Sequence, residues 1–335
     1  MLACLFCSVG QFCLTKWIHI HRMHHRYTDT SADPHNASRG FFFSHIGWLM
    51  VKCHPAVKEG SKNVDMSDIA ADPVIPMLYA ILGGLGVTAG AHRFWAHRSY
   101  SATLLLKIML TCFYCTTGEF RLTEWIHVHR AHHRYTGTCA DPHNASRGFF
   151  FSHVGWLMMK NHPAVKEYGQ NVDMSDIAAD AVIRFFDKYF SPIMLSLCFV
   201  LPSLIPVYIW NETWIVSIGA TLIRHLLILN ATFAVNSFAH SWGTHPYDRN
   251  LNATENPILS FLVLGEGWHN YHHCFPWDYK AAELGLYRLN LTTAFIDFMA
   301  WLGLAYDLKT SSSEIIDKLC AKNGDGTNLL KLNAK

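Results

Sequence analysis

Three stretches of this chain are apolar over a length that crosses a lipid bilayer, which takes about 20 residues. They are Val74 to Ala91, Ser191 to Trp210 and Trp214 to Val235. Only Asn211, Glu212 and Thr213 separate the last two, which read as a helical hairpin with Trp210 and Trp214 at the membrane interface. Arg184 and Lys188 precede the hairpin and put that end on the cytoplasmic side by the positive-inside rule. Arg224 and His225 interrupt the third stretch. An arginine there is either a functional group, or a side chain that snorkels or lies beyond the lipid. A fourth run, Ala102 to Thr117, contains Lys107 and by composition alone suits either a span or a surface helix.

Composition agrees with a membrane protein. Half of the 335 residues are hydrophobic and only 16% are charged, where a soluble domain is usually nearer a quarter charged. That excludes a disordered chain, and a net charge of +2 excludes a nucleic-acid binder. The ten cysteines are scattered, and the CxxC spacings at Cys4/Cys7 and Cys112/Cys115 read as small buried apolar residues rather than a redox or zinc motif. The first residues lack a basic region and a cleavage site, so no cleavable signal peptide is expected.

The 22 histidines are the second constraint. His92 and His97 follow the first apolar stretch. His129, His132 and His133 form an HxxHH group, as do His269, His272 and His273. His240 follows the last stretch, four residues after Asn236. Positions i, i+3 and i+4 share a helix face, so each HxxHH group presents three imidazoles toward one point. His92 and His97 are five apart, which predicts that their helix ends or bends between them. Nine imidazoles and one amide suit two metal ions. His35, His45, His54, His143, His153, His162, His225 and His245 fit no group and read as structural.

Neutral imidazole suits iron, copper, zinc or nickel, and the absence of cysteine from the groups argues against structural zinc. An almost all-histidine set beside membrane helices best matches a redox-active iron pair that activates dioxygen for attack on aliphatic C–H bonds. His97 and His129 can meet only if the fourth run stays on one side, so Ala102 to Thr117 is expected as a helix capping the site at the cytoplasmic surface. The expected fold is an all-α integral membrane bundle with a cytosolic, histidine-rich di-metal cap.

With these residues in hand, the chain resembles the membrane acyl-CoA desaturases of the stearoyl-CoA Δ9 type. The matching segments are Thr88 to His97, His129 to His133, Ala140 to His153, Asn236 to His240 and Gly265 to His273. The resemblance covers residues 74–309. It implies two irons at the cytosolic face of the endoplasmic reticulum, and removal of two hydrogens from a saturated acyl-CoA by O2. A cis double bond results, at Δ9, with two further electrons from cytochrome b5. His92, His97, His129, His133 and His272 would hold one iron. His132, His240, His269 and His273 would hold the other, with Asn236 reaching it through a water. The acyl chain would lie in a kinked tunnel among the spans, with Ala80, Gly83 and Gly84 leaving room for it.

The sequence departs from the family at His127 and Val128, where members carry an Arg-Asp pair that contacts CoA. Lys160 stands at a basic CoA contact, followed by Asn161. A third departure is larger. Residues 1–72 repeat residues 109–180 with about three quarters identity, and they occupy the place of the family's first span. His21, His24 and His25 of this copy lack equivalents of His92, His97 and His269, so a second di-metal site is not expected. The organisation expected is a non-catalytic duplicate over 1–72, a desaturase domain over 73–309 and a C-terminal tail over 310–335. Two rival readings are a related di-iron hydroxylase, separable by product analysis, and a non-catalytic membrane remnant that lost function with its first span.

Overall fold

The computed structural model describes residues 14–66, 74–283 and 290–328. Cys4, Cys7 and the expected boundary at residue 72 lie outside them. The chain forms two compact units, one from Met1–Val74 with Pro206–Glu212, the other from Ile75–Ile205 and Thr213–Lys335. Nearly every element is helical. The departures from an all-α chain among the described residues are an antiparallel pair of two-residue strands, Ser101–Ala102 and Ala305–Tyr306, and single bridges from Glu255 to Thr244 and Trp268.

In the first unit the helix Leu14–Tyr27 is followed by a hydrogen-bonded loop and the helix Pro55–Ser61. Pro55 opens that second helix, where its missing N–H costs nothing, and the His54 ring accepts from the Ala56 amide. Arg22 and Arg26 donate to the carbonyls of Asp65 and Asn63, which ties the two ends of the unit together.

In the second unit the helix Val74–Leu85 runs on as a π-helix, Gly86–Ala96. The first predicted span therefore falls on two windings of one rod. From Gly86 onward this rod is packed inside protein, with Ala89 and Ala91 fully buried. The helix does not end between His92 and His97, as their spacing suggested. It widens instead, and the His97 amide donates five residues back to the His92 carbonyl at 3.1 Å.

The fourth apolar run folds as the helix Leu104–Cys115, started by a Thr103 cap on the Leu106 amide. Its 12 residues reach about 18 Å, short of the roughly 30 Å of a bilayer core. It lies against the π-helix through Leu106 and Leu110. Cys112 and Cys115 pack with Val182 and Phe186, and burial pushes the Cys115 thiol up to about 12. Both are therefore inert small apolar residues, as read from the sequence.

Among the described residues, two helices are long and apolar enough to cross a membrane, Phe190–Trp210 and Trp214–His240. Asn211 sits at φ +59°, a left-handed position that asparagine tolerates, and Thr213 caps the Val216 amide. Ser217 donates to the Ser203 carbonyl at 2.7 Å, and Ser203 to Thr221 at 3.2 Å, which closes the hairpin. Arg224 does not snorkel. It is buried, and donates to the carbonyls of Thr116 and Cys198, the first at the C-terminus of Leu104–Cys115 and the second inside a π-helical turn. Those are carbonyls that regular winding leaves without a partner. Residues of the expected tail form the helix Ser313–Asn323, whose Ile316 packs against Tyr247, Tyr271 and Phe275.

The π-helix comes close to the end of Leu104–Cys115 at Gly86, where an added Cβ would overlap the backbone of Phe113 and Tyr114. Gly219, by contrast, has open space around it. Gly86→Ala should lower stability by about 1–3 kcal/mol through overpacking. Gly219→Ala should raise it by about 0.5–1 kcal/mol through helix propensity. Thermal unfolding of both variants in detergent reads the opposite signs.

Candidate metal centre

Four segments carry the imidazoles inward. The π-helix supplies His92, and His97 caps its end. The helix Leu122–Tyr135 buries Leu122, Ile126 and Ala131 and so turns His129, His132 and His133 toward the centre. His240 ends the long helix from Trp214, and the short helix His269–Cys274 brings the last group.

The nine imidazoles gather into two adjoining groups. His92, His97, His129, His133 and His272 form the first, and His132, His240, His269 and His273 the second. In each group the ligand atoms lie within 4.8 Å of one another. The Nε2 atoms face each other: His97 to His129 at 2.7 Å, His92 to His272 at 2.9 Å, His133 to His272 at 3.0 Å. In the second group His240 to His269 is 3.0 Å and His269 to His273 is 3.1 Å. With metal–nitrogen bonds near 2.1 Å, neighbouring ligands at a right angle are about 3.0 Å apart. The groups meet where His133 stacks on His273 at 4.2 Å.

Burial holds His97, His129, His133, His272 and His273 well below the ordinary histidine value, and His269 at about 3. Neutral rings with converging lone pairs repel unless something positive sits between them. The His132 Nε2 is buried with no protein partner. The donor set therefore fits a metal, with imidazole nitrogen as the ligand atom throughout.

Two carboxylates that the sequence reading passed over set the ring orientations. Glu266 accepts from His92 Nδ1 at 2.8 Å and takes Arg93 on its other oxygen. Burial pushes its carboxyl up, but Arg93 and His92 outweigh that and hold it down at about 2. Asp141 accepts from His132 Nδ1 at 2.9 Å and from the amides of Gly137 and His143. The signal was available: a metal-bound histidine commonly gives its second nitrogen to a carboxylate, and both lie inside the quoted motifs. His143, read as structural, is buried with its ring 4.3 Å from His132. Arg130 donates to the carbonyls of Trp95 and Ala96 and pairs with Asp176, which pins the end of the π-helix to the helix of His129.

An apolar cavity of about 270 Å³ opens onto the first group. Ala80, Ile81, Gly84, Val87 and Leu264 form its walls, and His92, Trp125, His129 and Asn236 line it too. Gly83 turns elsewhere, toward Thr116, Thr117 and Ile228. A smaller cavity of about 30 Å³ shares Trp125, His129, Thr232 and Asn236 with it and ends on Glu119. His127 bonds the Gly169 carbonyl, Val128 lines the smaller cavity, and Lys160 is exposed.

Burial pushes the Glu119 carboxyl up to about 7, against the bonds from Thr232 and Trp125 that favour its charged form. A carboxyl raised on folding keeps its proton longer in the native state. Stability is therefore lost as pH climbs from about 4.5 to about 7, and levels off above that, by about 3 kcal/mol in all. Glu119→Gln should remove this slope, so the unfolding temperatures of variant and parent diverge across that window.

The fatty acid desaturase family profile matches residues 70–301. An acyl-CoA Delta-9 desaturase of Acheta domesticus is 49% identical over 282 residues, covering 83% of this chain and 78% of the relative. An acyl-CoA Delta(11) desaturase of Spodoptera littoralis is 51% identical over 249 residues, 74% of each chain. A stearoyl-CoA desaturase of Homo sapiens is 49% identical over 251 residues, 75% of this chain and 70% of the relative. A family match over most of the sequence, with relatives near half identical, establishes that the chain belongs to the fatty acid desaturase family.

Proposed function

We infer that this chain is an acyl-CoA desaturase of the stearoyl-CoA type, acting on a saturated acyl-CoA with O2. The observation that carries the reading is the apolar cavity whose inner end is lined by His92 and His129 of the imidazole array. An aliphatic chain lying there exposes a methylene pair to the array while its remaining carbons bury against Ala80, Ile81 and Val87. The relatives named above carry the same activity in their names.

The residues proposed to hold metal are His92, His97, His129, His133 and His272 for one ion, and His132, His240, His269 and His273 for a second, with Asn236 alongside. Iron is the metal proposed. When bound, it supplies the oxidising power that side-chain acids and bases lack against an unactivated C–H bond. Glu266 and Asp141 fix the tautomers of His92 and His132 so that Nε2 lone pairs point inward. Removal of two hydrogens with reduction of O2 to water needs two more electrons, and cytochrome b5 is the donor proposed. The double bond is proposed at Δ9.

The protein is a membrane protein by its two spanning-length helices and its relatives. The location proposed is the endoplasmic reticulum, with the histidine array on the cytosolic side. Lys160 is proposed as a CoA contact, and residues 1–72 are proposed to take no part in the reaction.

Expression in desaturase-deficient cells tests this. The parent chain should restore growth without added unsaturated fatty acid, and mass spectrometry of derivatised lipids should locate a Δ9 bond. Hydroxylated product instead would favour the hydroxylase, and no product the non-catalytic remnant. His132→Ala or His272→Ala should abolish product while the membrane-fraction level of the protein stays unchanged. Asp141→Asn should weaken metal retention by about 10–100-fold, read as metal content after dialysis.

A further inference from the structure

The N-terminal copy repeats the histidine helix together with the loop that backs it. Trp17 stacks on His21 at 4.8 Å as Trp125 stacks on His129 at 5.1 Å. His24 meets Asp33 and His35 as His132 meets Asp141 and His143. The surroundings of the two triads differ. In the second copy the three side chains are sealed, with 4%, 1% and 4% exposure, and the far side of His132 faces His240 and His273. In the first copy Asp33 is closed off at 0%, while His24 is 27% exposed and His35 is half-buried.

The triad is a convergent donor set. His24 Nδ1 lies 3.0 Å from both carboxylate oxygens of Asp33, and the His35 ring is 4.2 Å from that of His24. One ligand atom from each residue falls within 4.8 Å of the others. The Asp33 carboxylate is held from behind by the amides of Asp29 and His35, which fixes its position without using a histidine ring. Two imidazole nitrogens and one carboxylate oxygen, open to water on one side, match a transition ion such as zinc or cobalt. They do not match calcium or magnesium, which take oxygen ligands almost exclusively.

We propose that His24, Asp33 and His35 form a mononuclear binding site for a divalent transition metal, separate from the histidine array of the second unit. A single ion needs three protein ligands and water, whereas a pair needs the partners this copy lacks. His24 and His35 each give one ring nitrogen and Asp33 one oxygen. The reading does not depend on the reaction proposed above.

The test uses the full chain in detergent micelles, titrated with Co2+ and followed by visible absorption and by metal content. The parent should take up one more cobalt than His35→Phe, a variant that keeps a ring against Trp48 but removes the ligand atom. Asp33→Asn should weaken that uptake by about tenfold or more. Desaturation should be the same in parent and His35→Phe. Equal cobalt uptake by the parent and His35→Phe overturns the proposal. So does an extra cobalt that survives in His35→Phe and disappears in a His21→Phe/His25→Phe double variant, since the ion would then sit on the exposed helix face instead.

Discussion

Nine imidazoles, five buried and four half-buried, aim their Nε2 lone pairs at two shared points, and the fold is arranged to hold that otherwise repulsive geometry. At 2.7–3.1 Å two ring nitrogens attract only when a proton or a metal lies between them. A ring proton bridges only one pair at a time, each shared point gathers four or five nitrogens, and His92 and His132 turn their Nδ1 protons outward to Glu266 and Asp141. The groups around the array answer to this. Arg93 is 1% exposed and fully engaged by Glu266, Tyr279, Thr293 and neighbouring acceptors. It anchors the carboxylate that orients His92. Arg130 does comparable work at the other end of the π-helix. Arg93 is buried and Arg130 half-buried, and both charges are tolerated because each donor finds an acceptor.

Much of this was legible in the sequence. The hairpin was, because two apolar runs with three residues between them leave few other arrangements. That Leu104–Cys115 is a short helix and not a span followed from requiring His97 and His129 to share a side. The HxxHH groups announced their faces by spacing alone. What escaped was the winding around His92 and His97. A separation of five is awkward for an α-helix, and the sequence reading ended or bent the helix there, where the chain instead widens it. Glu266, Asp141 and His143 escaped for another reason. They touch the rings from behind, and nothing in their own local pattern marks them, so they emerge only when each histidine is asked where its second nitrogen goes. Arg224 stayed ambiguous because its acceptors, Thr116 and Cys198, lie in other helices.

The duplication offers a comparison of one sequence in two settings. The helices Leu14–Tyr27 and Leu122–Tyr135 have the same length and the same capping arginine contacts to a distant carbonyl. Local sequence therefore dictates the helix, the loop behind it and the carboxylate–histidine contact. It does not dictate the enclosure, which in the second unit comes from segments far along the chain. The chemistry of an imidazole is accordingly decided twice, once by its neighbours in sequence and once by whatever distant chain closes over it.

The widened helix Gly86–Ala96 bears on how this protein can vary in length. A π-helix is an α-helix that has absorbed surplus residues, and losing one lets it tighten without tearing the elements on either side. Such a deletion would swing His97 about 100° around the axis relative to His92. An edit of that kind keeps the segment helical and still dismantles the array, so the residue count here is fixed by what the side chains must reach and not by the winding itself.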